Sequence, residues 1–326
     1  MSLISISRCW RWLAILLAVH LSTLLVSPPA MSAEGGRGVY LLGRVGALAG
    51  YIPDPGFYLR NITYHYSGET IEQLNLGARI TDDVRANVTL NILNLTWVTD
   101  WRVLGGRVAF ATFVPFGYEH VRDAIEIDFP SLPIPPLDTE TDGSAVGFGD
   151  VVLGGELGWS AGNYHWSVYG SVFFPVGDYE VGRLANLGAN RWAFDTGGRF
   201  TYLNEDSGTE ISAAAGFTFN LENPDTDYQT GTEFHFETVG RQYLNDTLFL
   251  GGAGYFYEQL TADTGTGATL GAFRGRVAGI GPLAGLTFPI DGDREMTVEL
   301  RYTHEFAARN RLEGDAVLLS FSLPLQ

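Results

Sequence analysis

The stretch Met296-Thr297-Val298-Glu299-Leu300-Arg301-Tyr302-Thr303-His304-Glu305-Phe306 decides the fold. Met296, Val298, Leu300, Tyr302, His304 and Phe306 alternate with Thr297, Glu299, Arg301, Thr303 and Glu305. Successive side chains of an extended chain point to opposite sides, so this segment has one apolar and one ionic face only as a strand. The same period of two runs outward in both directions. From Tyr164 to Val176 one parity (Tyr164, Trp166, Val168, Gly170, Val172, Phe174, Val176) carries no charge, and the other is His165, Ser167, Tyr169, Ser171, Phe173 and Pro175. Ile211, Ala213, Ala215, Phe217 and Phe219 oppose Glu210, Ser212, Thr218 and Asn220; Phe234 and Phe236 oppose Glu233, His235, Glu237 and Arg241. Trp192, Phe194, Phe200 and Tyr202 oppose Asp195 and Arg199. No sustained helical period competes with this reading.

Such segments fall at 56–66, 84–98, 105–116, 147–160, 163–176, 191–204, 209–220, 231–244, 247–260, 274–289, 295–306 and 315–325, which predicts twelve strands. The expected links alternate in length. Long ones lie at 67–83, 117–146, 177–190, 221–230, 261–273 and 307–314, and short ones near 99–104, 161–162, 205–208, 245–246 and 290–294. An even number of antiparallel strands, with short turns at one end and long loops at the other, is the layout of an all-β transmembrane barrel of the outer-membrane type. That layout puts both termini on the periplasmic side. Trp97, Trp101, Trp159 and Trp166 flank two of the short turns, where an interfacial aromatic girdle belongs. Soluble sandwiches also have amphipathic strands, but theirs run to roughly five or six residues, too few to cross a bilayer. A propeller needs a blade repeat, which is absent.

Arg8 and Arg11 precede an apolar run from Trp12 to Val26 and small residues up to Ala33, the order of a secretory signal peptide. We therefore expect three parts: a signal at 1–33, an N-terminal segment at 34–55, and the barrel at 56–326. Cleavage after Ala30 and an uncleaved anchor are the alternatives. The only cysteine, Cys9, would leave with the signal, so the mature chain would hold no disulfide, thiolate metal site or cysteine nucleophile. Without Arg8 and Arg11 the chain keeps 18 basic residues against 37 acidic ones, a poor match to nucleic acid.

Several phrases along the chain resemble the outer-membrane family labelled for the meta-pathway of phenol degradation. They are Gly38-Val39-Tyr40-Leu41-Leu42-Gly43, Pro53-Asp54-Pro55-Gly56-Phe57-Tyr58, Gly147-Phe148-Gly149-Asp150, Leu157-Gly158-Trp159, Pro175-Val176-Gly177-Asp178-Tyr179, Asn186 through Trp192, Asn223 through Tyr228, and Gly279-Ile280-Gly281-Pro282. The resemblance spans nearly the whole mature chain. It implies a porin-like or substrate-uptake protein akin to the fatty-acid outer-membrane transporters, and it transfers no catalytic or binding residue.

The charged parity places Arg85, Glu156, Asp195, Arg199, His235, Glu237, Arg241, Glu299, Arg301 and Glu305 in the lumen. There they either pair across strands or line a permeation path. Residues 34–55, with Arg37 and Arg44, read as a plug or gate, or as a periplasmic tail. No catalytic residue, metal or cofactor is expected. A lipid hydrolase would need a Ser and a His on the barrel exterior, and His165 and Ser167 share the inward parity instead. Acidic loop groups such as Asp138, Glu140 and Asp142, or Asp225 and Asp227, lack the ligand order of a calcium loop. Expected partners are outer-membrane lipid and lipopolysaccharide, a small hydrophobic or aromatic solute, and the barrel-assembly and periplasmic chaperone machinery. Passive uptake is the leading expectation, and a surface-recognition barrel without transport is the alternative.

Overall fold

The computed structural model describes residues 34–36, 38–75, 79–128, 135–268, 274–292 and 294–325. The expected signal segment lies outside the described residues. Among the described residues the regular structure is strand, apart from one 3-10 turn, Glu34–Gly36. In order the strands are β1 (Gly56–Asn75), β2 (Arg79–Val103), β3 (Gly106–Asp128), β4 (Leu137–Phe148), β5 (Val151–Ala161), β6 (Tyr164–Phe174), β7 (Ala193–Asn204), β8 (Thr209–Asn220), β9 (Glu233–Tyr243), β10 (Leu248–Gln259), β11 (Arg276–Asp291), β12 (Arg294–Arg309) and β13 (Glu313–Pro324).

Each strand pairs antiparallel with its neighbour, and β13 pairs back onto β1, from Tyr58↔Pro324 to Glu69↔Glu313, which closes the ring. β3 carries β4 on its upper part (Phe116↔Phe148) and β5 on its lower part (Phe113↔Val152). β4 and β5 are therefore two halves of one position, and the thirteen strands make a closed barrel of twelve. The break between them is pinned by Asp150, whose carboxylate accepts from the backbone N–H of Gly177 (2.9 Å) and Ala189 (2.7 Å).

The period of two in the sequence becomes two surfaces. On β12, Glu299, Arg301, Thr303 and Glu305 are buried, whereas Leu300, Tyr302, His304 and Phe306 are exposed. On β8 the buried set is Glu210, Ser212, Ala214, Gly216, Thr218 and Asn220, and Ile211, Phe217 and Phe219 face out. Polar side chains inside and large apolar ones outside invert a soluble core, as hydrocarbon solvent demands. At the short-turn end Trp97 lies against Phe57, Trp101 and Phe110, with ring centroids 5.8–6.2 Å apart. At the long-loop end Phe174 packs on Trp192 and Phe217 on Phe234. These rings bound the apolar band. The described strands thus form a barrel of the bacterial outer-membrane type.

One part of the wall departs from expectation. Residues 67–75, 79–83, 117–128 and 137–146, expected in long links, continue as strand, and β1, β2 and β3 reach 20, 25 and 23 residues. A span needs only about ten. The surplus stands beyond the bilayer, held by an inward apolar set, Val84, Ala86, Val121 and Ala145, that packs on Ala185 from the β6–β7 loop. Water can solvate the outer face there without undoing the pleat, so the pairing persists.

Candidate functional site: a lumen threaded by the N-terminal segment

Residues 38–55 run along the inside of the ring, and charged wall residues hold their backbone. Arg301 Nη1 donates to the carbonyls of Gly43 (3.0 Å) and Val45 (2.8 Å), and Arg60 Nη1 to that of Arg44 (3.4 Å). Glu237 accepts the Val45 N–H at 3.0 Å and the Tyr40 hydroxyl at 2.8 Å. Glu210 accepts the Leu48 N–H, and Thr201 Oγ1 accepts that of Gly50 at 2.9 Å. Lower still, Arg107 donates to the carbonyls of Ile52 and Pro53 and to Asp54. An irregular segment away from water must satisfy its N–H and C=O groups somewhere, and here the wall supplies the partners. Gly50 allows backbone to approach backbone closely: a Cβ there would sit 2.9 Å from the Phe200 backbone.

The segment begins at the long-loop end. Glu34 accepts from Asn223 Nδ2 (2.9 Å) and Thr226 Oγ1 (2.6 Å) and pairs with Arg191 at 3.3 Å. Pro324, by contrast, lies beside Tyr58 at the short-turn end. Residue 34 and the end of β13 thus lie at opposite ends of the barrel. A chain that lines the lumen must cross the barrel before entering β1.

Nine of the ten expected lumen residues point inward. Glu156 pairs with Arg199, Glu210 with Arg241, and Glu299 with Arg301 (2.7 Å). Asp195 bonds His235 Nε2 at 2.7 Å and Thr218 Oγ1 at 2.8 Å, and the His235 ring stacks on Tyr40 at 3.6 Å. Glu305 accepts the hydroxyls of Tyr66 (2.8 Å) and Tyr255 (2.9 Å) and the N–H of Gly314 (3.0 Å). Arg85 is the correction. Its side chain faces out, half-exposed, between Glu69 and Asp83, while Val84 and Ala86 face in. Its stretch of β2 stands in the tall wall, where an outward charge meets water rather than lipid. Arg44 lies over the rings of Tyr40 (4.5 Å) and Phe113 (5.1 Å). Arg37 lies outside the described residues.

Sequence reasoning passed over Glu210 and Glu233 as site residues, although both stand on the charged parities of their strands. It also passed over Arg60, Tyr66, Tyr255 and Tyr257. The tyrosines count as apolar in a parity, yet Tyr257 donates to Glu233 at 2.5 Å. His165 bonds Ser160 (2.7 Å), and the Ser167 hydroxyl donates to Glu156, so neither belongs to a hydrolase pair on the outer face. Among the described residues no group of three or more His, Cys, Asp or Glu could hold a metal ion.

The opposite side of the lumen is different. Ile62 on β1, Val84, Ala86, Val88 and Ile92 on β2, and Ala316 and Leu318 on β13 are buried there. Ala109 and Val121 on β3, Val152 on β5 and Phe173 on β6 continue the lining. Leu41 of the segment, with Leu90, Tyr66 and Phe113, packs partly buried against this wall. Glu119 is a buried acid among them.

A closed barrel, apolar outside and partly filled by its own N-terminal segment, defines a β-barrel protein of the outer-membrane type. The chain belongs to the family described as putative MetA-pathway of phenol degradation, whose model matches residues 73–321. Among solved structures it is similar to the COG4313 outer membrane channel from Pseudomonas putida F1. That match has 16% identity over 87% of this chain and 98% of the other, with a TM-score of 0.63. It also aligns with a Pseudomonas aeruginosa FadL homologue at 10% identity over 91% and 98% of the chains, with a TM-score of 0.41. A comparison with the curated proteins found no match.

Proposed function

We propose that the protein is a passive outer-membrane channel for small hydrophobic molecules, aromatic ones included, with residues 38–55 as its constriction. The observation that carries this reading is the division of the lumen. One side makes most of the charged contacts that fix the segment, with Arg60 and Arg107 adding theirs from β1 and β3. The other offers Ile62, Ile92, Phe113, Val152 and Phe173, against which an apolar solute loses nothing by leaving water. A water-filled porin has no need of such a lining. Arg44, stacked between Tyr40 and Phe113, stands where the two sides meet. The aromatic cargo accords with the family's description as putative MetA-pathway of phenol degradation.

The test is flux into proteoliposomes together with single-channel conductance. Deleting residues 38–50 should raise ion conductance by an order of magnitude or more, and Arg44→Ala should raise it less. Unchanged conductance in the deletion, with a heat-modifiable barrel retained, would sink the constriction. Failure of the intact protein to accelerate entry of a hydrophobic aromatic tracer would sink the transport reading itself.

A second reading, surface recognition, draws on the tall wall of β1–β4, whose outer face carries Glu69, Arg85, Arg122 and Glu140 above the apolar band. Surface binding by a barrel without flux would favour it.

A further inference from the structure

Among the described residues the outward apolar belt is interrupted most heavily on β1 and β2. On β8 the outward residues from Ile211 to Phe219 are Ile, Ala, Ala, Phe and Phe. On β1 and β2 the corresponding residues are Asn61, Thr63 and His65, beside Thr89 and Asn91. Asn61 Nδ2 donates to Asn91 Oδ1 at 2.9 Å, and Asn91 Nδ2 donates back at 3.0 Å. Asn91 Nδ2 also reaches Thr63 Oγ1 (3.2 Å), and His65 Nδ1 lies 2.9 Å from Thr89 Oγ1.

This polar inlay sits at membrane depth. Asn61 is register partner to Phe321 and Thr63 to Leu319 on one side, and Asn91 is partner to Phe116 on the other. Those neighbours are outward and apolar. Counting from Trp97 in the girdle, Asn91 is about 16 Å up, taking roughly 3.4 Å per residue and a tilt of about 40°, inside an apolar band roughly 25 Å tall. The charged residues Glu69, Asp83 and Arg85 come only higher, at the start of the tall wall.

A wall meant for lipid would carry leucine here. Amides and hydroxyls facing hydrocarbon are costly, and in membranes such side chains associate with those of another protein surface. At this depth a lipid headgroup does not reach them, and the inlay holds no Asp, Glu or Arg to recognise an ionic partner. Asn and Thr each donate and accept, so the patch is complementary to itself, and a twofold axis through it sets each amide against its own kind. Leu93, Leu95, Phe116 and Phe321, all exposed, give it an apolar rim.

We propose that the outer face of β1–β2 is the interface of a homodimer in the outer membrane, with Asn61 and Asn91 at its centre. The interface is independent of the proposed transport, because the inlay and the lumen lie on opposite faces of the same strands.

Site-directed crosslinking in cells tests it. The chain's only cysteine is Cys9, so a Cys9→Ser background gives a blank surface. Thr89→Cys, which leaves both amides in place, should form covalent dimers at least tenfold more than Ala215→Cys on the outward face of β8. Adding Asn61→Leu and Asn91→Leu should lower the Thr89→Cys dimer tenfold while heat-modifiable migration is kept. Equal yields from the two faces would overturn the proposal, as would a dimer indifferent to the leucines or a Thr89→Cys adduct that mass spectrometry shows to contain a different protein. Should the leucine variant fail to fold, the comparison of the two single-cysteine faces decides.

Discussion

The two sides of the lumen meet the same segment with opposite chemistry. Around β7–β9 and β12, Glu210, Glu237 and Arg301 reach the backbone of residues 43–48, and Tyr40 and His235 stack beside them. Around β13 and β1–β3 the directional contacts are fewer, Arg60 to the carbonyl of Arg44 and Arg107 to those of Ile52 and Pro53, and Leu41 rests on Ile62, Ile92, Ala316 and Leu318. Hydrogen bonds between buried charges and main chain fix one geometry, whereas apolar contact fixes only proximity. A segment held more densely on one side than on the other makes the second side, under the proposed transport, the place where a solute would pass.

The comparison breaks most severely at Arg301. Arg301→Ala removes the donor to two carbonyls and leaves Glu299 buried without its cation, a loss of about 3–5 kcal/mol. A lowered urea midpoint, together with raised conductance, is the expected outcome. Next comes Glu210→Gln, which weakens the charge-assisted contacts to Arg241 and the Leu48 N–H by about 1.5–3 kcal/mol. Hydrogen exchange at Leu48 should then quicken on the order of tenfold or more. On the apolar side, Phe113→Ala should cost about 1–2 kcal/mol, less than for a fully buried ring. Flux of a hydrophobic tracer should rise a few-fold there, with ion conductance moving less. The smallest effect belongs to Arg85→Ala on the outer face, within about 0.5 kcal/mol, because its pairs are exposed. Thermal melting of that variant should match the parent, and a large drop would mean that Arg85 is not solvated as its position implies.

Parity made much of this legible. The residues of Met296–Phe306 that are ionic in the sequence are the buried ones on β12, with Glu299 paired to Arg301 and Glu305 collecting tyrosine hydroxyls. Parity assigns faces but not height, which is why Arg85, charged and outward above the band, was misplaced. It also sorts side chains by polarity, which hides Tyr255 and Tyr257, apolar in body and polar at the tip. The path of residues 38–55 has no local signal at all. Their partners lie far along the chain (Val45 with Glu237, Leu48 with Glu210), and no short-range period records such contacts. The tall wall was missed for a related reason: polar outward residues read as loop, although the inward Val84, Ala86 and Val121 kept the alternation.

The position of Glu34 among the long loops, with Gly56 opening β1 at the other end, bears on how the molecule is put together. Residues 34–55 occupy the bore lengthwise, and the seam between β1 and β13 joins the first strand to the last. Zipping that seam around a segment already laid against β7–β12 avoids feeding a tail through a finished ring. The strand that closes the cylinder is thus continuous with the chain it encloses.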